Sequence, residues 1–171
     1  NNLQMLSTIN ISEIAISKRP HYNPYDLREP SNLNAEQIDK VLDGTALQGL
    51  GKYYAKAEQE SGVNALFLIS LSALESGWGT SKLSRGSDNI TGYTAYDYDV
   101  SGNATNFSNS GGKGECILRT ARMLSRDYLK EGGQYHNGYS INSVNIMYCS
   151  SSEWTYRIND IVGDVLTKLN K

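Results

Sequence analysis

The chain has 171 residues, 39% of them apolar, and a formal net charge of -2 at pH 7, which suits one domain with a real core, or a domain plus an arm. With no long basic run it is a poor match for nucleic acid or an anionic membrane, whose phosphates call for clustered Lys and Arg, and a neutral or mixed-charge polymer fits better. No stretch approaches the ~20 apolar residues of a membrane span, and the first residues lack the basic and apolar regions of a signal peptide.

The chain opens at Asn1 without Met, and we read it as a processed product or one module of something longer. Residues 1–30 carry Ile9, Ile11, Ile14 and Ile16 without a clean period, and Pro20, Pro24 and Pro30 rule out a long helix. They form an N-terminal arm packed on a main body of residues 31–171. Asn34 and Gln37 have capping-box spacing and open a helix through Ile38, Val41 and Leu42 to Gly44. A second helix is expected from about Ala46 to Gln59. Asn64 is a good N-cap for a third, almost wholly apolar helix through Leu66, Phe67, Ile69, Leu71 and Leu74, which belongs in the middle of a core.

Asp88 to Phe107 is rich in Thr, Tyr, Asn and Gly and lacks helical periodicity, so a loop with one short hairpin is expected there, forming a cleft wall. Ile117, Leu118, Ala121, Leu124, Tyr128 and Leu129 mark an amphipathic helix, a short helix follows near 140–148, and Trp154, Ile158, Ile161, Val162, Val165 and Leu169 mark the last. The fold class is mainly α.

The richest stretch is Leu71-Ser-Ala-Leu-Glu-Ser-Gly-Trp-Gly-Thr-Ser81. Glu75 falls in the last turn of the apolar helix, where the partial negative charge of the helix end disfavours ionisation. That effect is only ~0.3–1 kcal/mol, less than one pKa unit, so a proton donor near neutrality also needs desolvation by neighbours such as Trp78. A buried cleft for Glu75 follows, and Gly77 and Gly79 let the chain turn sharply beside it. A carboxylic acid next to a flat apolar ring is the equipment of a sugar-cleaving site. Twelve tyrosines and two tryptophans supply further faces for sugar C–H groups. Trp78, Tyr93 and Tyr96 are the subsite candidates, whereas Tyr53, Tyr128 and Trp154 read as core.

Only His21 and His136 are present, and no zinc-binding spacing occurs, so neither metal nor cofactor is called for. Ser110-Gly-Gly-Lys-Gly114 lacks phosphate-loop spacing and reads as a solvated loop entering a helix. Cys116 and Cys149 leave three possibilities: a disulfide of about 3.8 kcal/mol on the chain-entropy estimate, two buried thiols, or one reactive thiol with His136 as its base.

Taken together, Leu50-Gly-Lys, Gly62-Val-Asn64, Ala73-Leu-Glu-Ser-Gly-Trp-Gly-Thr-Ser81, Asn89-Ile-Thr-Gly-Tyr93, Ala95-Tyr-Asp97 and Tyr148 ahead of Trp154 give the chain a resemblance. From about 31 to 168 it resembles the bacterial glucosaminidase family of peptidoglycan hydrolases, glycoside hydrolase family 73, as found in clostridial autolysins and phage lysins. The resemblance implies a lysozyme-like helical domain and Glu75 as general acid. It makes Tyr148 the counterpart of an activity-bearing Tyr and places Asn89 with the substrate-binding residues. Tyr148 is followed by Cys149-Ser-Ser-Ser instead of the family's Ala-Thr-Asp-Pro, and Asn89-Ile-Thr-Gly stands for the commoner Asn-Leu-Phe-Gly. The implied partner is the peptidoglycan glycan strand, and the implied location is extracellular, wall-associated or within a phage lysin or virion. Stabilisation of the oxocarbenium-like carbon is left to a second carboxylate, with Asp97 preferred over Asp99, Asp88 and Glu115, or to the substrate's own acetamido group. Competing readings are a muramidase or lytic transglycosylase on the same fold, and a non-catalytic wall-binding or phage-tail module.

Overall fold

The computed structural model describes residues 18–93, 104–149 and 151–171. Seven α-helices account for its regular structure: α1 (Ala35–Leu42), α2 (Gly51–Ser61), α3 (Ala65–Ser76), α4 (Lys82–Ser87), α5 (Gly112–Met123), α6 (Ile141–Tyr148) and α7 (Glu153–Leu169), with α5 running on into a π-helical turn over Leu124–Leu129. No strand occurs among the described residues, in keeping with the mainly α expectation.

The capping box forms as expected: the Asn34 side chain accepts from Gln37 N–H, and the Gln37 side chain accepts from Asn34 N–H. Ile38, Val41 and Leu42 then face the core. The second helix begins at Gly51, not near Ala46. Three successive turns hold residues 42–50, and Gly49 sits in the left-handed region at φ 78°, which a continuing right-handed helix does not admit. The first N–H of α2 is capped from α1, with Gly51 N–H donating to Asp39 Oδ1 at 2.7 Å. A Cβ at Gly51 would meet the Ala35 carbonyl oxygen at 2.2 Å, so the two helices touch backbone to side chain there.

Helix α3 is buried from Ala65 to Ala73 and packs against α2, α5 and α7. Its N-cap, Asn64, works in both directions. The side-chain oxygen accepts from Phe67 N–H, while the amide nitrogen donates to the carbonyls of His21 and Glu29. In this way residues 18–30 are tied to the start of the central helix. Leu27 is completely buried, its N–H donates to Tyr139 O and its carbonyl accepts from Asn64 N–H. Tyr22 reaches α7, donating to Asn159 Oδ1 at 2.9 Å.

Helix α4 carries no apolar stripe and was not expected. Ser81 caps it by accepting from Ser84 N–H, and Asp88 closes it in the left-handed region. Helix α5 begins inside the glycine-rich stretch, earlier than the apolar stripe indicated, and its Gly114 lies flat against the Tyr53 ring.

Candidate active site

The turn after α3 sets up the site. Gly77, Trp78 and Gly79 all have positive φ, at 56°, 56° and 85°. Glycine adopts this conformation freely, but for a bulky Trp it costs of order 1–2 kcal/mol and must be held by its surroundings. The buried Ser76 hydroxyl holds it, accepting from Gly79 N–H at 2.7 Å while donating back to Ser72 O. Ser84 Oγ–H adds a bond to Gly79 O, and Thr80 Oγ1–H one to Gly77 O. No side chain would fit at Gly79, where a Cβ would stand 2.8 Å from Leu47 Cδ2.

Glu75 precedes this turn. Its side chain is open to solvent, where a buried cleft was expected. Crowding still dominates its acidity: burial raises the carboxyl pKa, and this is offset in part by a hydrogen bond from Trp154 and by the charge of Arg157. The indole at the carboxylate therefore belongs to Trp154, whose Nε1–H donates to Glu75 Oε1 at 3.0 Å. Trp78 was expected in that place. Instead, Trp78 lines a groove of about 410 Å³ with Thr45, Asp164, Val165, Lys168 and Lys171, with the Lys168 ammonium 5.4 Å from its ring centre.

Two further elements close on the carboxyl. Tyr148, the last residue of α6, stacks at a tilt on Trp154, with ring centres 5.3 Å apart, and its hydroxyl donates to Thr91 O at 3.2 Å. Burial, joined by the Glu75 charge, holds the Tyr148 phenol well above its ordinary pKa, so it stays a protonated hydrogen-bond donor. The residue after Thr91 is Gly92, where a Cβ would stand 4.0 Å from Glu75 Oε2.

Asn89 underlies this loop. It is 1% exposed; its side-chain oxygen accepts from Tyr93 N–H, and its amide nitrogen donates to Tyr93 O and Thr105 O. The two flanks of the expected hairpin are thereby drawn together, and Thr105 N–H also donates to Tyr93 O. So employed, Asn89 shapes the wall from beneath and does not present its amide to the cleft. The Tyr93 ring is half-buried and meets Phe107 edge-on at 5.8 Å. Tyr96 and Asp97 lie outside the described residues, as does Asp99.

Both cysteines are free, so the bridge expected as one alternative is not made. The Cys116 thiol lies 3.4 Å from Thr91 Oγ1, and burial raises its pKa, which makes it a poor nucleophile. His136 is engaged elsewhere, its Nδ1 bonded to Tyr128 O. Among the described residues no group of three His, Cys, Asp or Glu side chains is arranged to hold a metal ion.

The structure thus gathers Glu75, Tyr148 and the Asn89–Tyr93 loop at one place and turns Trp78 towards a neighbouring groove. The residue missed in the sequence is Trp154, read there as core. A signal existed: a buried indole N–H must find an acceptor, and Glu75 was the acid argued to sit among apolar neighbours. An accessible carboxyl with raised pKa, oriented by an N–H donor, can deliver a proton to a leaving group.

Comparison with known proteins identifies the family. A family model described as glucosaminidase, mannosyl-glycoprotein endo-beta-N-acetylglucosaminidase, matches residues 51–165. A candidate endo-beta-N-acetylglucosaminidase of Streptococcus pneumoniae is 32% identical over 155 residues, covering 86% of this chain and 23% of that protein. The bifunctional autolysin of Staphylococcus aureus is 30% identical over 125 residues, covering 62% of this chain and 10% of its own length. The chain therefore spans less than a quarter of these relatives. Among solved structures, S. aureus autolysin E in complex with the muropeptide NAM-L-Ala-D-iGlu superposes with a TM-score of 0.70 at 21% identity, over 93% of this chain and 78% of that one. The fold is accordingly the lysozyme-like helical fold, and the chain belongs to the glucosaminidase family.

Proposed function

We propose that this chain is a peptidoglycan hydrolase, an endo-β-N-acetylglucosaminidase that cuts the glycan strand after N-acetylglucosamine with Glu75 as general acid. The observation that carries this reading is the Glu75 carboxyl, reachable from solvent, raised in pKa by burial and held by the Trp154 N–H. Family membership supplies the substrate class. Two autolysin E structures of similar fold contain peptidoglycan fragments, the disaccharide NAG-NAM and a muropeptide. By extension the partner is the glycan strand of the cell wall, the place of action is the wall, and the chain works as one module of a larger protein.

In the proposed reaction, protonated Glu75 gives its proton to the glycosidic oxygen as the C–O bond breaks, and positive charge grows on the ring carbon and oxygen. Asp97, four residues after Tyr93 in the sequence, is our candidate for the opposite face, where it would place water or attack directly; the substrate's acetamido group is the other route. Water completes the hydrolysis and Glu75 recovers its proton. Tyr148, with its hydroxyl on the Thr91 carbonyl, supports the loop that carries Gly92 beside the acid. Trp78, Tyr93 and Tyr96 offer rings to successive sugars, and Asn89 holds the backbone at Tyr93 in shape.

Purified peptidoglycan digested with the parent protein and with Glu75→Gln, then reduced with borohydride and read by mass spectrometry, tests this. New reduced N-acetylglucosamine ends from the parent alone are expected. Reduced muramic or anhydro-muramic ends would move the cut to the other linkage, and products from neither protein would leave glycan binding without catalysis.

A further inference from the structure

Glu75 has two oxygens in unlike surroundings. Oε1 receives the indole N–H of Trp154 at 3.0 Å, and Oε2 lies on the side of Gly92. An indole nitrogen can only donate. The oxygen it meets is therefore best served as the carbonyl-like acceptor of a protonated carboxyl, because a hydroxyl oxygen is the weaker acceptor.

Trp154 is itself held firmly. It is 3% exposed in the first turn of α7, meets Phe67 of α3 edge-on at 6.2 Å, and is stacked by Tyr148, whose hydroxyl is bonded to the carbonyl beside Gly92. The contacts run from Glu75 to Trp154, Tyr148 and Thr91, and the next residue, Gly92, faces Oε2. The geometry points to Trp154 as a positioning residue that decides which oxygen of Glu75 carries the catalytic proton, leaving Oε1 as acceptor and Oε2 as the donor to the glycosidic oxygen. The inference rests on the reading of Glu75 as general acid. Other groups that bear on the carboxyl are Arg157 on α7 and Tyr148 at the end of α6; Trp154→Phe keeps both residues and keeps a ring for Tyr148 to stack on.

Trp154→Phe keeps an aromatic ring but removes the N–H. A general acid must be protonated, and the N–H favours the ionised form. Its loss is expected to move the alkaline limb of the kcat/KM profile to higher pH, with kcat down about tenfold and KM little changed. A folded Trp154→Phe protein whose alkaline limb stays put would overturn the inference. A merely structural role would lower stability or rate without moving that limb. As a measurement on the unaltered residue, the indole proton resonance of Trp154, distinguished from that of Trp78 by Trp78→Phe, is followed against pH in the parent and in Glu75→Gln. A shift that titrates with the midpoint of the alkaline limb in the parent and is flat in Glu75→Gln supports the coupling; a flat signal in both refutes it. Full cleavage by Glu75→Gln would instead remove the general-acid reading, so the two failures are distinguishable.

Discussion

At the scale of single residues, the acid is the costly member of the site. Burial makes the folded chain bind the Glu75 proton more readily than the unfolded chain does. The stability linked to that proton is fully present below the ordinary carboxylate range and is lost as pH rises through the folded-state pKa. Above that range the carboxyl therefore contributes less to folding than it does in acid, and Glu75→Gln, which keeps an acceptor for Trp154, should melt higher than the parent at neutral pH. Thermal melts at pH 7 and near pH 4 check this: the gap should close at the lower pH, and a gap that persists would show that the carboxyl is not strained by its setting. Glu75 was legible in the sequence because it stands at a helix end flanked by glycines. Trp154 was not, because a Trp in an apolar stripe looks the same whether its N–H ends on a backbone carbonyl or on the acid. Only the crossing of α7 over the end of α3 brings the two together.

Among the elements, α1 and α3 were readable from a cap followed by an apolar pattern, α4 was missed because its Ser81 cap opens no apolar stripe, and the start of α2 was displaced. Asn34 with Gln37, and Asn64 with the apolar run behind it, fixed the starts of α1 and α3. Helix α2 has no side-chain cap of its own and takes one from Asp39, a partner that no local pattern announces. Its start is fixed by tertiary contact, and Gly51 is the residue that allows it. Gly51→Ala would drive a methyl group into the Ala35 carbonyl. A loss of about 1–3 kcal/mol in urea unfolding is expected from such overpacking, although alanine is intrinsically the better helix former. A neutral or stabilising result would mean that α1 and α2 can part freely.

Over the whole molecule, the segment before α1 is part of the packed unit from at least residue 18. Leu27 fills a fully buried position, Asn64 holds the carbonyls of His21 and Glu29, and the segment pairs with the loop ahead of α6 through Leu27–Tyr139 and Pro24–Ile141 backbone bonds. A chain started at Ser31 would open that Leu27 position and leave the Asn64 side-chain amide and the N–H groups of Asn64 and Ile141 without acceptors. We expect it to be at least about 3 kcal/mol less stable than the parent by urea unfolding; equal stability would make the segment dispensable. Sequence reading found an arm here because three prolines break any periodicity. The depth of its packing was hidden, since a single inward Leu between prolines carries no repeat to detect.

The unbridged cysteines have a bearing on where this fold can be assembled. Cys116 and Cys149 remain thiols, and nothing in the packing of α5 against α2 or of α6 against α7 waits for an oxidant. No disulfide between them holds the fold together, so a reducing compartment should yield the same folded domain.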